Sequence, residues 1–431
     1  WQSFNIGKDN KVTFVQPGAD SVALNRVIGA DGSKIMGQLN ANGRVFLINP
    51  NGVLFGQGAS VSVGGLVAST LNISNQDFAN GKYRFRGDGS NASVINQGTI
   101  NAADGGAVVL LGGTVSNQGV IVAKQGTVAL AAGNAVTLDF AGDGLLNVQV
   151  DEATRNALVE NRQLIQADGG QVIMTAAASN ALLRTVVNNT GVIEARGLQN
   201  KNGKISLGGS DSGLVRVAGT LDASSPHGTG GAIQITGQNI ALTSATLNVS
   251  GASGGGSIKI GGDAQGKGPL ANAQGVSVDA GSSLKADAGT TGKGGNIVVW
   301  SNGTTVAKGN FSARGGTQSG DGGSVETSGH HVDFTGIQVN TSATKGKTGN
   351  WRVDPEDLNV DDASAATINA ALLNTDVTLQ TTGTLTSTAT GLGDISVNSA
   401  LSWSSPNTLT LDSFHSIAIN ANVSVTGAGG L

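Results

Sequence analysis

The sequence predicts an all-β chain wound as a solenoid, and three observations carry that expectation. Short β-branched runs recur about every ten residues, broken by Gly, Asn or Asp. Glycine takes 68 of 431 positions, roughly twice its usual share, yet a hydrophobic fraction of 38% is too high for a disordered chain. Two short motifs also return along the chain, which is the mark of stacked repeats.

The first repeat is Val94-Ile95-Asn96-Gln97-Gly98-Thr99-Ile100, which returns as Val115-Ser116-Asn117-Gln118-Gly119-Val120-Ile121 and as Val187-Asn188-Asn189-Thr190-Gly191-Val192-Ile193. A degenerate copy, Val159-Glu160-Asn161-Arg162-Gln163-Leu164-Ile165, carries Gln163 in place of the glycine. The second repeat is a glycine pair followed by an alternating apolar strand. It begins at Gly105-Gly106, Gly169-Gly170, Gly230-Gly231, Gly294-Gly295 and Gly322-Gly323. Such corners need a positive φ or a close backbone approach, which is where Gly and Asn are favoured. Each strand turns alternate Val, Ile and Leu inward and hydroxyl or amide side chains outward. Stacked asparagines and small side chains inside would account for an aromatic content of only 3%.

Helical readings are poor, because glycine at this density costs about 1 kcal/mol per interior site. Two stretches are exceptions. Residues 151–157 read as a short helical turn between coils, and residues 364–373 have a plausible N-cap and apolar Ile368, Leu372 and Leu373. Lys345-Gly346-Lys347-Thr348-Gly349-Asn350 reads as a linker, so the chain divides into residues 1–345 and a β-rich module from 346 to 431.

Composition excludes several classes. Proline is scarce and no collagen period appears, and no run of about twenty apolar residues could span a membrane. A net charge of −4 without a basic block argues against nucleic acid as partner. There is no cysteine, hence no disulfide or thiol chemistry, and no cofactor is expected. The start at Trp1 and the end at Gly429-Gly430-Leu431 read as a piece of a larger protein.

One fifteen-residue block is specific. Asn42-Gly43-Arg44-Val45-Phe46-Leu47-Ile48-Asn49-Pro50-Asn51-Gly52-Val53-Leu54-Phe55-Gly56 resembles the NPNG-containing segment of the filamentous haemagglutinin family of Gram-negative exoproteins. Trp1-Gln2-Ser3-Phe4-Asn5-Ile6-Gly7 and Ala23-Leu24-Asn25-Arg26-Val27 resemble the opening of that family's two-partner secretion domain. Val67-Ala68-Ser69-Thr70, Val325-Glu326-Thr327-Ser328-Gly329-His330 and the segment from Gly349 to Asp357 resemble later parts of it, in its high-molecular-weight and glycosylated adhesin branches. The NPNL motif of part of the family is absent, since residues 142–147 read Gly-Asp-Gly-Leu-Leu-Asn.

The resemblance implies a right-handed parallel β-helix with an N-terminal cap and small extra-helical strands or hairpins. It implies export through the periplasm and then through an outer-membrane barrel partner whose periplasmic domains read the domain. It also implies a secreted or surface adhesin that binds a host-cell receptor, a glycan or a matrix polysaccharide, and works as a monomer in attachment or biofilm. The same domain could serve a contact-dependent toxin or a haem-acquisition protein. A carbohydrate-active β-helix enzyme is the more distant alternative.

The residues singled out for secretion are Asn49, Pro50, Asn51 and Gly52, a strong turn sequence in which Pro50 sets φ and Asn51-Gly52 suits positive φ. The turn either contacts the transporter or only shapes the cap. Arg86-Gly87-Asp88 is a cell-attachment tripeptide by pattern, in a stretch that reads as loop. Sequons stand at Asn72, Asn91, Asn188, Asn248, Asn302, Asn310, Asn340 and Asn422, where the resemblance allows glycosylation.

No residue set reads as catalytic. The acidic run Asp354, Glu356, Asp357, Asp361 and Asp362 reads as a solvated turn or cap. His330 and His331 are adjacent, and neighbouring strand residues point to opposite faces, so they would not share a metal with Asp333. Trp1, Trp300, Trp351 and Trp403 read as packing residues sooner than as sugar platforms. Gly251-Ala252-Ser253-Gly254-Gly255 fits a nucleophile-elbow pattern by chance, because no strand-to-helix elbow follows.

Overall fold

The computed structural model describes residues 1–431 except 91, 141–145, 180–183, 199–200, 212 and 383–390. The chain divides into two units, Trp1–Asp222 and Ala223–Leu431. The Gly-Asp-Gly-Leu stretch, residues 142–145, falls outside the described residues.

In the first unit three parallel ladders run side by side, one strand of each coil in each ladder. A representative coil contributes Thr114–Asn117, Val120–Val122 and Thr127–Ala132. The middle ladder runs from Lys11–Phe14 through Gln38–Ala41, Ser60–Val63, Thr99–Ala102, Val120–Val122, Leu164–Gln166 and Val192–Glu194 to Thr220–Asp222. Its register stacks Leu39, Val61, Ile100, Ile121, Ile165, Ile193 and Leu221 in one column, all fully buried. Each such side chain contributes about 1.5–3 kcal/mol by leaving water. This is a parallel β-helix.

The sequence repeat is one rung of it. Asn96, Asn117, Asn161 and Asn189 stand in register on adjacent strands. Their amides form a buried chain, Asn96 Nδ2 donating to Asn117 Oδ1 at 2.8 Å, Asn117 to Asn161 at 2.8 Å and Asn161 to Asn189 at 2.9 Å. The same amides donate to carbonyls at the corner, so the ladder satisfies backbone groups that no strand could. The glycine pairs meet a different demand. A Cβ on Gly126 would fall 1.8 Å from the Gly106 carbonyl oxygen, and one on Gly170 would fall 2.0 Å from that of Gly126. The corners stack too closely for any side chain.

Two excursions leave the coils and form a four-stranded antiparallel sheet: Asn72–Ile73, Tyr83–Arg86, Ala135–Asp139 and Asn147–Glu152. Residues 151–152 therefore end a strand and do not open a helical turn as expected. Val148 and Val150 pack against the cluster below, which favours period two over the helical period. The sheet and the short helix α1 (Asn75–Ala79) cover one face of the solenoid. Strand Thr127–Ala132 is consequently buried on both sides, where an outward polar face was expected. Aromatics gather here: Phe46 meets Tyr83 at 5.5 Å between ring centroids, and Tyr83 meets Phe140 at 5.0 Å. Arg26 fastens the excursion, donating to Asn72 Oδ1, Asn75 Oδ1 and the Ile73 carbonyl.

The second unit repeats the parallel pattern. Ala232–Thr236, Ser257–Ile260, Asn296–Ala307, Ser324–Asp333, Asn350–Asp354, Asp376–Gln380 and Leu409–Asp412 pair in turn. Residues 345–350, read from composition as a linker, are tied to the preceding rung: Lys347 N donates to Asp321 Oδ1 at 2.8 Å and Gly349 N to the Thr341 carbonyl at 2.8 Å. Helix α2 spans Asp362–Ala371 and starts before the expected residue 364, because Asp361 is its N-cap and accepts from Ser364 N at 2.9 Å. Ile368 and Leu372 are buried, whereas Leu373, expected in the apolar face, is exposed.

Candidate functional site

The Asn49–Gly52 segment is a β-turn closed by Gly52 N donating to the Asn49 carbonyl at 3.0 Å. Positive φ falls on Gly52 alone, at 115°, and not on Asn51. Asn49 is completely buried, and its side chain works as a fastener. Its Nδ2 donates to the Asp31 carbonyl and to Ser33 Oγ, both at 3.0 Å, and its Oδ1 accepts from Asn51 N at 3.0 Å. Asn51 is exposed, and its Nδ2 donates to the Gly29 carbonyl at 2.9 Å. Pro50 is half-buried. Asn49 therefore holds the turn to the preceding coil, while Pro50 and Asn51 form its surface. Sequence reasoning missed Gly29, Asp31 and Ser33, whose carbonyls and hydroxyl have no pattern of their own; only folding brings them to the turn.

The tripeptide is divided between strand and turn. Arg86 ends the strand Tyr83–Arg86, opposite Ala135, so it is not in a loop as expected. Gly87 N donates to the Asn134 carbonyl at 2.7 Å, and a Cβ there would meet Asn134 Oδ1 at 2.8 Å. Arg86 and Asp88 are exposed. The Ser90 backbone amide, donating to Asp88 at 2.9 Å, holds that carboxyl below its ordinary range.

Of the sequons, Asn72, Asn302, Asn310 and Asn422 are exposed, and Asn188, Asn248 and Asn340 are half-buried. Asn91 lies outside the described residues. Asn72 Oδ1 accepts from Arg26 Nε at 3.0 Å.

The acidic run is not uniformly solvated as expected. Asp354 and Glu356 are 4% and 5% exposed, because the ladder carries the strand Asn350–Asp354 into the stack. Burial pushes the Asp354 carboxyl up, and it does the same to Glu326 on the directly paired strand, where Glu326 stands opposite Arg352. Asp357 accepts from the backbone amides of Leu392, Gly393 and Asp394, and Asp361 caps α2. His330 and His331 do not diverge as expected: their rings meet edge-on at 4.4 Å, and His330 Nδ1 lies 3.0 Å from Glu356 Oε2. Trp351 and Trp403 are buried packing residues, whereas Trp300 is half-buried and Trp1 is 62% exposed.

A β-helix with a covered face and this turn at its N-terminal end defines a class. The TPS secretion domain family matches residues 1–223, more than half of the chain, and the chain belongs to that family. The solved HMW1 secretion domain from Haemophilus influenzae is similar to it, with a TM-score of 0.72 and 32% identity over 82% of this chain and 91% of that one. A heme/hemopexin-binding protein of Haemophilus influenzae strain Rd is 38% identical over 220 residues, and a second heme/hemopexin-binding protein from the species is 34% identical over 230. The chain spans 24% of the length of each of these two relatives.

The fold is thus the right-handed parallel β-helix of secretion domains, and the chain carries the secretion domain of an exoprotein. Such proteins cross the periplasm of Gram-negative bacteria and pass through an outer-membrane transporter partner to the surface or the medium. No helix among the described residues is long and apolar enough to cross a membrane.

Proposed function

We propose that the surface of the Asn49–Gly52 turn is read by the periplasmic domains of the transporter, and that the coils behind it nucleate β-helix folding as the chain emerges. The observation that carries this reading is the division of labour in the turn. Asn49 spends every polar atom inside the protein, while Pro50 and Asn51 stay accessible. Each coil templates the next through backbone pairing, so folding outside the cell needs no nucleotide energy. We place the end of the secretion module near residue 345, supported by the 82% of the chain that the HMW1 secretion domain covers.

The test is secretion of the chain, expressed behind a periplasmic export leader, by cells with and without the barrel transporter, beside Asn49→Ala and Asn51→Ala. Transporter-dependent export that falls in folded Asn51→Ala supports recognition of the turn. Export by Asn51→Ala at the wild-type level, with loss only in Asn49→Ala that fails to fold, assigns the turn to the cap alone. Equal export without the transporter overturns the two-partner reading.

For the whole exoprotein we take adhesion as the first reading, to a host-cell receptor, a glycan or a matrix polysaccharide, by a monomeric and non-catalytic protein. Exposed Arg86 and Asp88 would serve host-cell contact, and the exposed sequons would accept glycans. A second reading, haem acquisition, is favoured by one observation: both curated relatives matched over this domain are named as heme/hemopexin-binding. Attachment to cultured cells against growth on haem–haemopexin, in a strain deleted for the full gene, separates the two.

A further inference from the structure

Three features that stand apart in the sequence meet in the second unit: Trp300, His330 and the pair Asp354 and Glu356. They line a cavity of about 170 Å³ together with Asn302 and Thr382. The register explains the meeting. Trp300 pairs with Ser328 and Ser328 with Asp354, so the indole and the carboxyl stand on one column, two strand spacings apart. Two such spacings are about 9.6 Å, with only the small side chain of Ser328 on the strand between them.

The walls are built, not incidental. The Trp300 ring rests on glycine backbone: a Cβ at Gly266 would fall 2.6 Å from the ring, and one at Gly262 would fall 2.8 Å from it. Its Nε1 points to Asn302 Oδ1 at 3.4 Å. On the far side Thr382 Oγ1 donates to Asp354 Oδ1 at 2.7 Å. The second Asp354 oxygen takes no hydrogen bond from the described residues, although the residue is 96% buried and lines the cavity. That oxygen is not sealed off from the cavity, so it is available to accept from a donor placed there. His330 is held by Glu356 Oε2 at 3.0 Å, and Glu356 N donates back to the His330 carbonyl at 3.1 Å.

An aromatic platform facing a carboxylate, an amide and a hydroxyl is the lining that a sugar ring requires. The ring's C–H face packs on the indole, and its hydroxyls donate to the acceptors. The volume lies below the roughly 300 Å³ at which drug-sized sites begin, so the occupant is a single ring. Arg352, Lys267 and Asp412 all act on Asp354, and this mixture of signs does not select a cation. We propose that this cavity binds one hexopyranose unit, with Trp300 as the stacking platform and Asp354 and Asn302 as partners for its hydroxyls. The assignment goes beyond the export role and stands whichever reading of the whole exoprotein holds.

The test uses the purified 431-residue chain. Saturation-transfer NMR and tryptophan fluorescence are titrated with the methyl glycosides of glucose, galactose, mannose and N-acetylglucosamine, and with methylammonium as a cationic probe. Saturable binding of at least one glycoside is expected, weakened about tenfold or more by Trp300→Ala and by Asp354→Asn, and unchanged by Trp1→Ala. Should Trp300→Ala not fold, Asn302→Ala at the exposed rim takes its place, with the same weakening expected. Failure of every glycoside to saturate overturns the proposal, as does binding that survives Asp354→Asn together with a folded platform or rim variant. Preference for methylammonium over all four sugars overturns the ligand class.

Discussion

Asn49 and Asn51 are the same residue type two positions apart, and the structure gives them opposite weights. Asn49 is fully buried and donates or accepts three side-chain hydrogen bonds, so Asn49→Ala leaves buried partners unsatisfied. A loss of about 2–3 kcal/mol is expected from those orphaned groups. Asn51 is exposed and gives up one side-chain bond, to the Gly29 carbonyl, so Asn51→Ala costs about 0.5–1 kcal/mol. Urea unfolding of the two variants checks the order, and equal midpoints would remove the fastener role of Asn49. The same comparison tells a fold defect from a recognition defect in the export experiment.

The element that characterises the solenoid is the asparagine stack. Asn117 sits between Asn96 and Asn161, and its amide also donates to the Gly119 carbonyl. Asn117→Ala breaks two links of the ladder, and a cost of about 2–4 kcal/mol follows from the stranded amide of Asn96 and the stranded corner carbonyls. Hydrogen exchange should loosen first at the corners of residues 96–98 and 117–119. Protection unchanged there would mean that water replaces the amide without loss. The glycine corners fail by sterics instead. Gly126→Ala would drive its methyl into the Gly106 carbonyl, so the rungs must part, at about 1–3 kcal/mol or more. A melting temperature equal to that of the wild type would show that the corner has slack the stacking does not suggest.

At the scale of the whole molecule, stability should depend on pH with two opposing contributions. Burial raises the Asp168 carboxyl, but the hydrogen bonds and charge of Arg196 outweigh it and leave the group below its ordinary range. Arg196 Nη2 donates to Asp168 Oδ2 at 2.9 Å. A folded value below the unfolded one means stability that is present above the ordinary carboxylate range and is lost as pH falls through the folded value. Glu326 and Asp354 are raised by burial, so their sign is reversed. Their protonation favours the folded state, and that gain is lost as pH rises from the ordinary range through the raised values. Asp168→Asn should therefore cost about 1 kcal/mol at neutral pH, kept small by the exposure of Arg196, and nothing at strongly acid pH. Glu326→Gln should be neutral or stabilising at pH 7, because the amide oxygen can still accept from Gln265 N without a buried charge. Unfolding midpoints measured from pH 3 to 8 check both signs, and a Glu326→Gln protein weakened at pH 7 would contradict the burial argument.

The recurring Val-Asn-Gly and Gly-Gly segments were enough to determine the parallel solenoid, because in a stacked rung the same chemical need arises at the same place in every coil. An inward amide, an aliphatic column and a bare corner each leave a periodic trace. The Asn49–Gly52 turn was legible for a similar reason: a four-residue turn is a local object, and proline and glycine report its dihedrals directly. What lies between coils was decided only by tertiary structure. Residues 135–139 and 147–152 become a covering sheet because an apolar face elsewhere, at Phe46 and Val109, needs burial, and no local pattern announces that need. The acidic run was read as solvated because charge alone favours water. The register of the strand Asn350–Asp354 instead carries Asp354 into the stack beside Trp300 and His330. Coils of unequal length set which side chains share a column, and a single sequence does not display that length arithmetic until the backbone is wound.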